Sequence, residues 1–428
     1  MSFRLVLALL PFLLASSSEQ SAEKQPPSPP KSVSDLLAEL KASDAAVRAA
    51  AVDALADRGP QAQPAASAIV RLLGDRQAEV RAAAAAALGK LALDPQQSIP
   101  ALVRLLDDDT ATDRGPLWLV AGLALGRFGE AAVPHLIAAL QSDKLHVRLA
   151  GAAGAYQAGP RAKDAVPALI AVLEQDDPAS RRHVLNTLVA IGPAARQAIP
   201  AVRKKLTSDD FHTQYWACRV LGAIGPEAAV ATDQLLALVE HASTSVRRNA
   251  AAALGNIGPA VGAKAVPVLV RALADRSQVV REQAVIALGK LKPLSASAVP
   301  ALEAALQEPQ GTFGPRSEAA KTLWLLAPQS PLPAPVLIAE LRSKQEPWTA
   351  SRILGELGPA IGVVDQVIAV LGHPDCEMRL YAAEALGAMG AAAQKALPQL
   401  EPLLQDEDEE VRAAAAAALR AIRAATKG

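Results

Sequence analysis

Arginine recurs in this chain at a fixed distance from residues that can open a helix. Arg148, Arg181, Arg281 and Arg412 each stand fourteen residues after a proline (Pro134, Pro167, Pro267 and Pro398), and Arg48, Arg81, Arg247 and Arg379 stand fourteen after Ser34, Ser67, Asp233 and Asp365. A guanidinium is permanently charged and presents a planar fork of donors that fits a carboxylate or a phosphate. One such group per period would make an anion-binding basic stripe. Residues for other chemistry are scattered. There is no Gly-x-Ser-x-Gly, no phosphate-binding Gly-x-x-x-x-Gly-Lys-Ser/Thr, no His-Glu-x-x-His and no Cys-x-x-Cys-His. His146 and His212 share one position of the period but lie two periods apart, ~20 Å if neighbouring helices pack normally, against metal–ligand distances near ~2 Å. His183 reads as a surface or internally satisfied residue. Asp107, Asp108 and Asp109 are adjacent and lack the alternate spacing and closing Glu of a calcium loop. Cys218 and Cys376 are five periods apart, too far for a bridge that needs Cα atoms within ~7 Å, so no internal disulfide is expected. No catalytic residue, metal or cofactor is expected.

The elements that carry these residues are helices. Ala265 to Leu291 shows the pattern most regularly. Val266, Leu269, Val270 and Leu273 form one apolar face, Asp275 to Ser277 break it, and Val280, Ala284, Ala287, Leu288 and Leu291 form a second. Three-and-four spacing of this kind is that of amphipathic helices. Proline sits where a first helix opens, at Pro134, Pro167 and Pro200 with a spacing of 33 and again at Pro267, Pro300 and Pro398. Gly-Pro closes second helices at Gly225-Pro226, Gly258-Pro259 and Gly358-Pro359. These landmarks give about twelve two-helix units between Val33 and about Ala425, an arc on the order of 100 Å long whose stability comes from neighbour contacts. The pattern breaks at Asp107 to Pro116, which delays a second helix carrying Trp118, at the lengthened turn Gln307 to Pro315, and at the shortened turn Ser343 to Pro347. Drift in a tolerant turn and a binding loop are both open readings of these breaks.

Composition agrees with an all-α chain. Half of the residues are hydrophobic but only 3% are aromatic, so Ala, Leu and Val supply thin, closely packed layers. Lys plus Arg equals Asp plus Glu at 43 each, which leaves no global field to attract nucleic acid. The recurring Val-Pro, Asp, Val-Arg, Ala-Leu-Gly and Ile-Gly-Pro elements resemble HEAT repeats, in particular the short bacterial kind related to the repeats of phycobilin lyases. The resemblance covers nearly all of residues 33–428 and implies an α-solenoid. It also implies that Arg48, Arg81, Arg148, Arg181, Arg247, Arg281, Arg379 and Arg412 form a structural ladder, each meeting an acidic residue of an inter-helix turn, with Asp44, Asp143, Asp176, Asp275, Asp375 and Asp408 as candidates. Second helices would line the concave side. All four Trp and all three Tyr fall in or at the start of second helices. Tyr156 and Trp324 take the place of Gly289 and are expected to fill gaps. Trp118, Tyr215, Trp216, Trp348 and Tyr381 are the candidate partner-binding residues, with Tyr215 and Trp216 following Gln214, where the ladder arginine is missing.

The N-terminus reads separately. Arg4, the apolar run Leu5 to Leu14 and small residues at Ala15 to Ser17 form a secretory signal pattern over residues 1–17, too short to span a bilayer comfortably. Residues 18–32 are polar and Pro-rich, a flexible linker. The expected protein is an exported, periplasmic or secreted, non-catalytic scaffold or adaptor, monomeric, that binds a protein partner along its concave face. It would touch a membrane only if the N-terminal segment stays uncleaved, and it takes no nucleic acid or small-molecule substrate. A chromophore-lyase-like enzyme and a structural component of the envelope are the alternatives.

Overall fold

The computed structural model describes residues 31–175, 177–308 and 313–426. Within them, 24 α-helices pair into twelve units. The second helices, in order, are Ala45–Asp57, Ala78–Leu91, Leu117–Arg127, Leu145–Ala158, Pro178–Ile191, Phe211–Ile224, Thr244–Ile257, Gln278–Lys290, Arg316–Leu326, Pro347–Ile361, Cys376–Met389 and Glu409–Ala425. Each packs on the shorter first helix of its own unit and on the second helices of the units before and after, so the second helices form a continuous layer. The proposed signal peptide, and the linker apart from Lys31 and Ser32, lie outside the described residues. Ser32 caps the first helix, accepting from the Asp35 N–H. No helix among the described residues is long and apolar enough to cross a membrane.

Local chemistry explains where the helices begin and end. Pro134, Pro167 and Pro200 lie in the first turn of their helices, where the missing N–H has no intrahelical partner to lose. Asp44, Asp177, Asp210, Asp375 and Asp408 cap second helices by accepting from N–H groups two or three residues on. Such caps contribute about 1 kcal/mol each. Gly192, Gly225 and Gly258 follow second helices at positive φ, a conformation in which a Cβ would be strained. From there a short 3₁₀ segment, such as Gly192–Ala198, leads into the next first helix.

Layers approach closely where side chains are small. A Cβ at Gly255 would lie 2.7 Å from the Ala287 Cα of the next unit, and one at Gly89 would lie 2.7 Å from the Ala124 Cα. Glycine eight residues after the ladder arginine is therefore a spacing device. One element departs from the all-helical expectation. The delayed turn of the third unit folds into an antiparallel hairpin pairing Ala111 with Pro116 and Thr112 with Gly115. Its tip reaches back over the preceding units, with Arg114 Nη2 donating to Asp53 Oδ2 (2.6 Å) and the Asp113 N–H to Glu79 (3.3 Å).

Candidate functional site

Four of the ladder arginines each join two turns. Arg48 donates from Nη1 to the carbonyls of Ala42 and Ser43 in its own turn, and from Nε and Nη2 to both carboxylate oxygens of Asp75 in the next (2.8 Å each). Arg247 repeats this with His241, Ala242 and Asp275, and Arg379 with His373, Pro374 and Asp406. Arg81 grips Asp108 through one bond of 2.9 Å. Each rung also touches the next, because Arg81, Arg281 and Arg412 donate to the backbone carbonyls of Asp75, Asp275 and Asp406. The fork of Arg247 holds the Asp275 carboxyl below the usual carboxylate range, with the Ser277 N–H helping and burial opposing. Arg379 does the same to Asp406.

The acidic partners differ from those expected. Of the five candidates among the described residues only Asp275 lends its carboxylate to a ladder arginine. Asp44, Asp375 and Asp408 cap helices instead, Asp143 offers Arg148 its backbone carbonyl, and Asp176 lies outside the described residues. The reason is reach. The arginine sits one turn into its helix, too close to its own cap residue to use it, and the forks of Arg48, Arg247 and Arg379 cross to the aspartate two positions before the next cap. Arg148 and Arg412 hold backbone carbonyls, and Arg181 donates to Thr213 Oγ1. With their forks committed, Arg48, Arg81, Arg247 and Arg379 do not form an anion-binding stripe.

Several rungs are built differently. In the ninth unit, buried Arg316 donates to the carbonyls of Leu306 and Glu308 and to buried Glu340. The lengthened turn moves this arginine off the fourteen-residue offset. The register that sets Trp324 in the place of Gly289 also sets Arg316 in the place of Arg281, and that signal was available in the sequence. In the third unit Trp118 takes the ladder position, and its backbone N–H donates to the Asp108 carbonyl (3.0 Å). Its half-buried ring packs against the core, so Trp118 is in part a structural residue.

The sixth unit replaces the arginine with Gln214, which donates to the Leu206 carbonyl (3.2 Å) and leaves the surface to its neighbours. Tyr215 and Trp216 meet edge to face, with centroids 5.1 Å apart at 83°. The Arg219 guanidinium lies 4.6 Å from the Trp216 centroid and donates to Tyr215 Oη (3.1 Å). Both rings are half-buried and border an open cleft of about 550 Å³. Pro178, Arg182 and Leu185 close one side of it, and Ser245, Arg248 and Asn249 the other. A face of this kind offers an apolar platform with cations at its edge, the usual composition of an interface anchor. A smaller cleft of about 410 Å³ lies at the turn edge between the seventh and eighth units, where Arg247 and Arg271 are held by Asp275 and Glu240.

The remaining aromatic candidates are not part of this cleft. Trp348 is 56% exposed on the tenth second helix, and Tyr381 is half-buried on the eleventh. Tyr156, expected to fill a gap, is instead 39% exposed, while Trp324 is half-buried. Gap filling fails at Tyr156 because its unit already closes on the backbone: Gly122 and Gly126 meet Ala150 and Gly154 directly. Cys218 on the same helix is buried and its thiol is pushed up to about 12 by burial, which leaves it protonated and inert. Both cysteines are free. No group of His, Cys, Asp and Glu side chains among the described residues is arranged to hold a metal.

Comparison with known proteins follows the same geometry. The model of HEAT repeats matches residues 33–115, 166–232, 232–324 and 334–420, and that of the PBS lyase HEAT-like repeat matches residues 120–142. No curated protein matches the chain in sequence. Kap95p, solved with RanGDP, is similar in fold at a TM-score of 0.55 and 15% identity, covering 92% of this chain and 62% of its own. Kap95 in its complex with Nup1 gives a TM-score of 0.53 at 15% identity, covering 92% of this chain and 66% of its own. This chain thus spans about two thirds of the length of those solenoids. The complex of CpcE and CpcF of phycocyanin lyase from Nostoc sp. PCC7120 is 24% identical over 56% of this chain and 94% of that one, at a TM-score of 0.34. The matched segments take up most of the sequence and coincide with the helix pairs, and the chain belongs to the HEAT-repeat family.

Proposed function

We propose that this protein is a non-catalytic scaffold or adaptor, exported by its N-terminal segment, that binds another protein along its second-helix layer with Tyr215 and Trp216 as the anchor. The observation that carries the reading is the aromatic pair itself. At the one unit where the ladder arginine gives way to Gln214, two large rings are brought to the border of a cleft rather than used to close the core. Membership of a family used mostly for protein binding supports it, as does a buried, protonated Cys218 that offers no nucleophile. The test places a photoreactive benzoyl-phenylalanine at position 215 and, as a control, at exposed position 271 on a first helix. In extracts of the native host a discrete cross-linked species should form from position 215 and not from 271. Equal labelling from both positions, or none from 215, would refute the reading.

A further inference from the structure

We infer that the cleft bordered by Trp216 receives an acidic linear segment of a protein partner. The inference rests on the protein-binding reading above and specifies what the partner presents. Several cations elsewhere in the second-helix layer already have a carboxylate partner, although Lys290 holds only the Asn256 side-chain oxygen. Lys90 is paired with Asp57, Lys321 with Glu356, and Arg352 with Glu318. Arg182, Arg219 and Arg248, in three successive units at the cleft, have no carboxylate within ion-pair distance among the described residues. The one carboxylate that lines the cleft, Asp210, is occupied by the N–H groups of His212 and Thr213 and by the Thr213 hydroxyl.

The placement of the cations also fits a segment rather than a small anion. Arg182 and Arg248 hold the same position in their units, each following its ladder residue, one unit to either side of Tyr215. Two unit spacings amount to ~20 Å, which about six residues of extended chain would span. Arg219, stacked on Trp216 and bonded to Tyr215, is held in place before any ligand arrives and loses little side-chain entropy on binding. The adjoining units favour a short acidic segment over a long polyanion. Glu282 stands in the very next unit, and half-buried Glu346 already feels Glu282, Glu340 and Glu318, so a nucleic acid continuing along the layer would run into like charge.

The experiment uses the full chain and a fluorescein-labelled octapeptide of alternating glutamate and leucine, followed by anisotropy. Controls are the same peptide with lysine for glutamate and an oligothymidylate of equal charge. The acidic peptide should bind, weaken as salt rises, and lose about tenfold in affinity with Arg182→Glu or Arg248→Glu. Both residues are exposed, so the variants should keep the helical circular dichroism of the parent. Failure of the acidic peptide to bind, equal binding of the lysine peptide, tighter binding of the oligonucleotide, or indifference to charge reversal would each overturn the inference. The cross-linking experiment separates the two readings. A basic segment captured from position 215 would overturn this inference alone, whereas absence of any cross-link would remove both.

Discussion

Arg247 spends its whole guanidinium on structure. Two bonds go to the carbonyls of His241 and Ala242, and two to the carboxylate of Asp275 in the next unit, with both side chains largely buried. Removing one partner of such a pair leaves a buried charge without its counter-ion, so Arg247→Ala should cost about 3 kcal/mol. The loss should appear as faster amide exchange in the turns at His241 and Asp275. Arg247→Lys should recover only part of it, because an ammonium cannot hold a carboxylate and two carbonyls in one plane. The same bond fixes a pH dependence. The folded Asp275 carboxyl titrates below its unfolded value of about 3.9. Its contribution is therefore complete above that value and disappears as pH falls through the lowered folded one. Asp275→Asn should weaken the protein at neutral pH and remove this component of the acid-side slope below about pH 4. An unchanged slope in denaturation at graded pH would show that the pair contributes nothing to acid stability.

At the scale of helices, the seam between the third and fourth second helices depends on glycine. A Cβ at Gly122 would lie 2.5 Å from the Ala150 carbonyl oxygen, which is backbone and cannot move aside alone, while a Cβ at Gly372 would meet nothing within 4 Å. Gly122→Ala should therefore cost about 1–3 kcal/mol through overpacking, and Gly372→Ala should be tolerated. Thermal melts of the two variants that coincide would contradict the close approach. The helices themselves were legible in the sequence because proline, capping aspartate and glycine recur in phase with apolar periodicity, and each of those residues acts within its own turn. What depends on a second unit was less legible. The fork of Arg48 goes to Asp75 rather than Asp44, and the hairpin at Ala111–Pro116 owes its place to contacts with Asp53 and Glu79, two units and one unit away. The aromatic pair was readable from the loss of the rung at Gln214. That Arg182, Arg219 and Arg248 have no carboxylate partner among the described residues was not, because whether a cation has a partner is decided by residues about thirty positions distant.

Over the whole molecule, the buried side chains form two clusters rather than one, Leu36 to Ala150 and Val133 to Ile422, which overlap only in the fourth unit. The division falls beside the glycine seam, where Gly122, Gly126 and Gly154 bring backbones together and contribute no side chain to carry the apolar contact onward. A solenoid whose units touch only their neighbours transmits destabilisation over a short range, and a seam of this kind should shorten it further. Leu55 is fully buried in the N-terminal cluster, and truncating such a leucine costs about 2–5 kcal/mol. Leu55→Ala should therefore accelerate amide exchange in the first three units, fade across the fourth, and leave the core of Thr244–Ile257 and everything after it at parent rates. The proposed anchor at Tyr215 and Trp216 lies beyond the seam, so the same variant should still give the cross-link from position 215. Acceleration spread evenly to the last unit, with loss of the cross-link, would mean that the chain unfolds as one cooperative body and that the seam is no boundary.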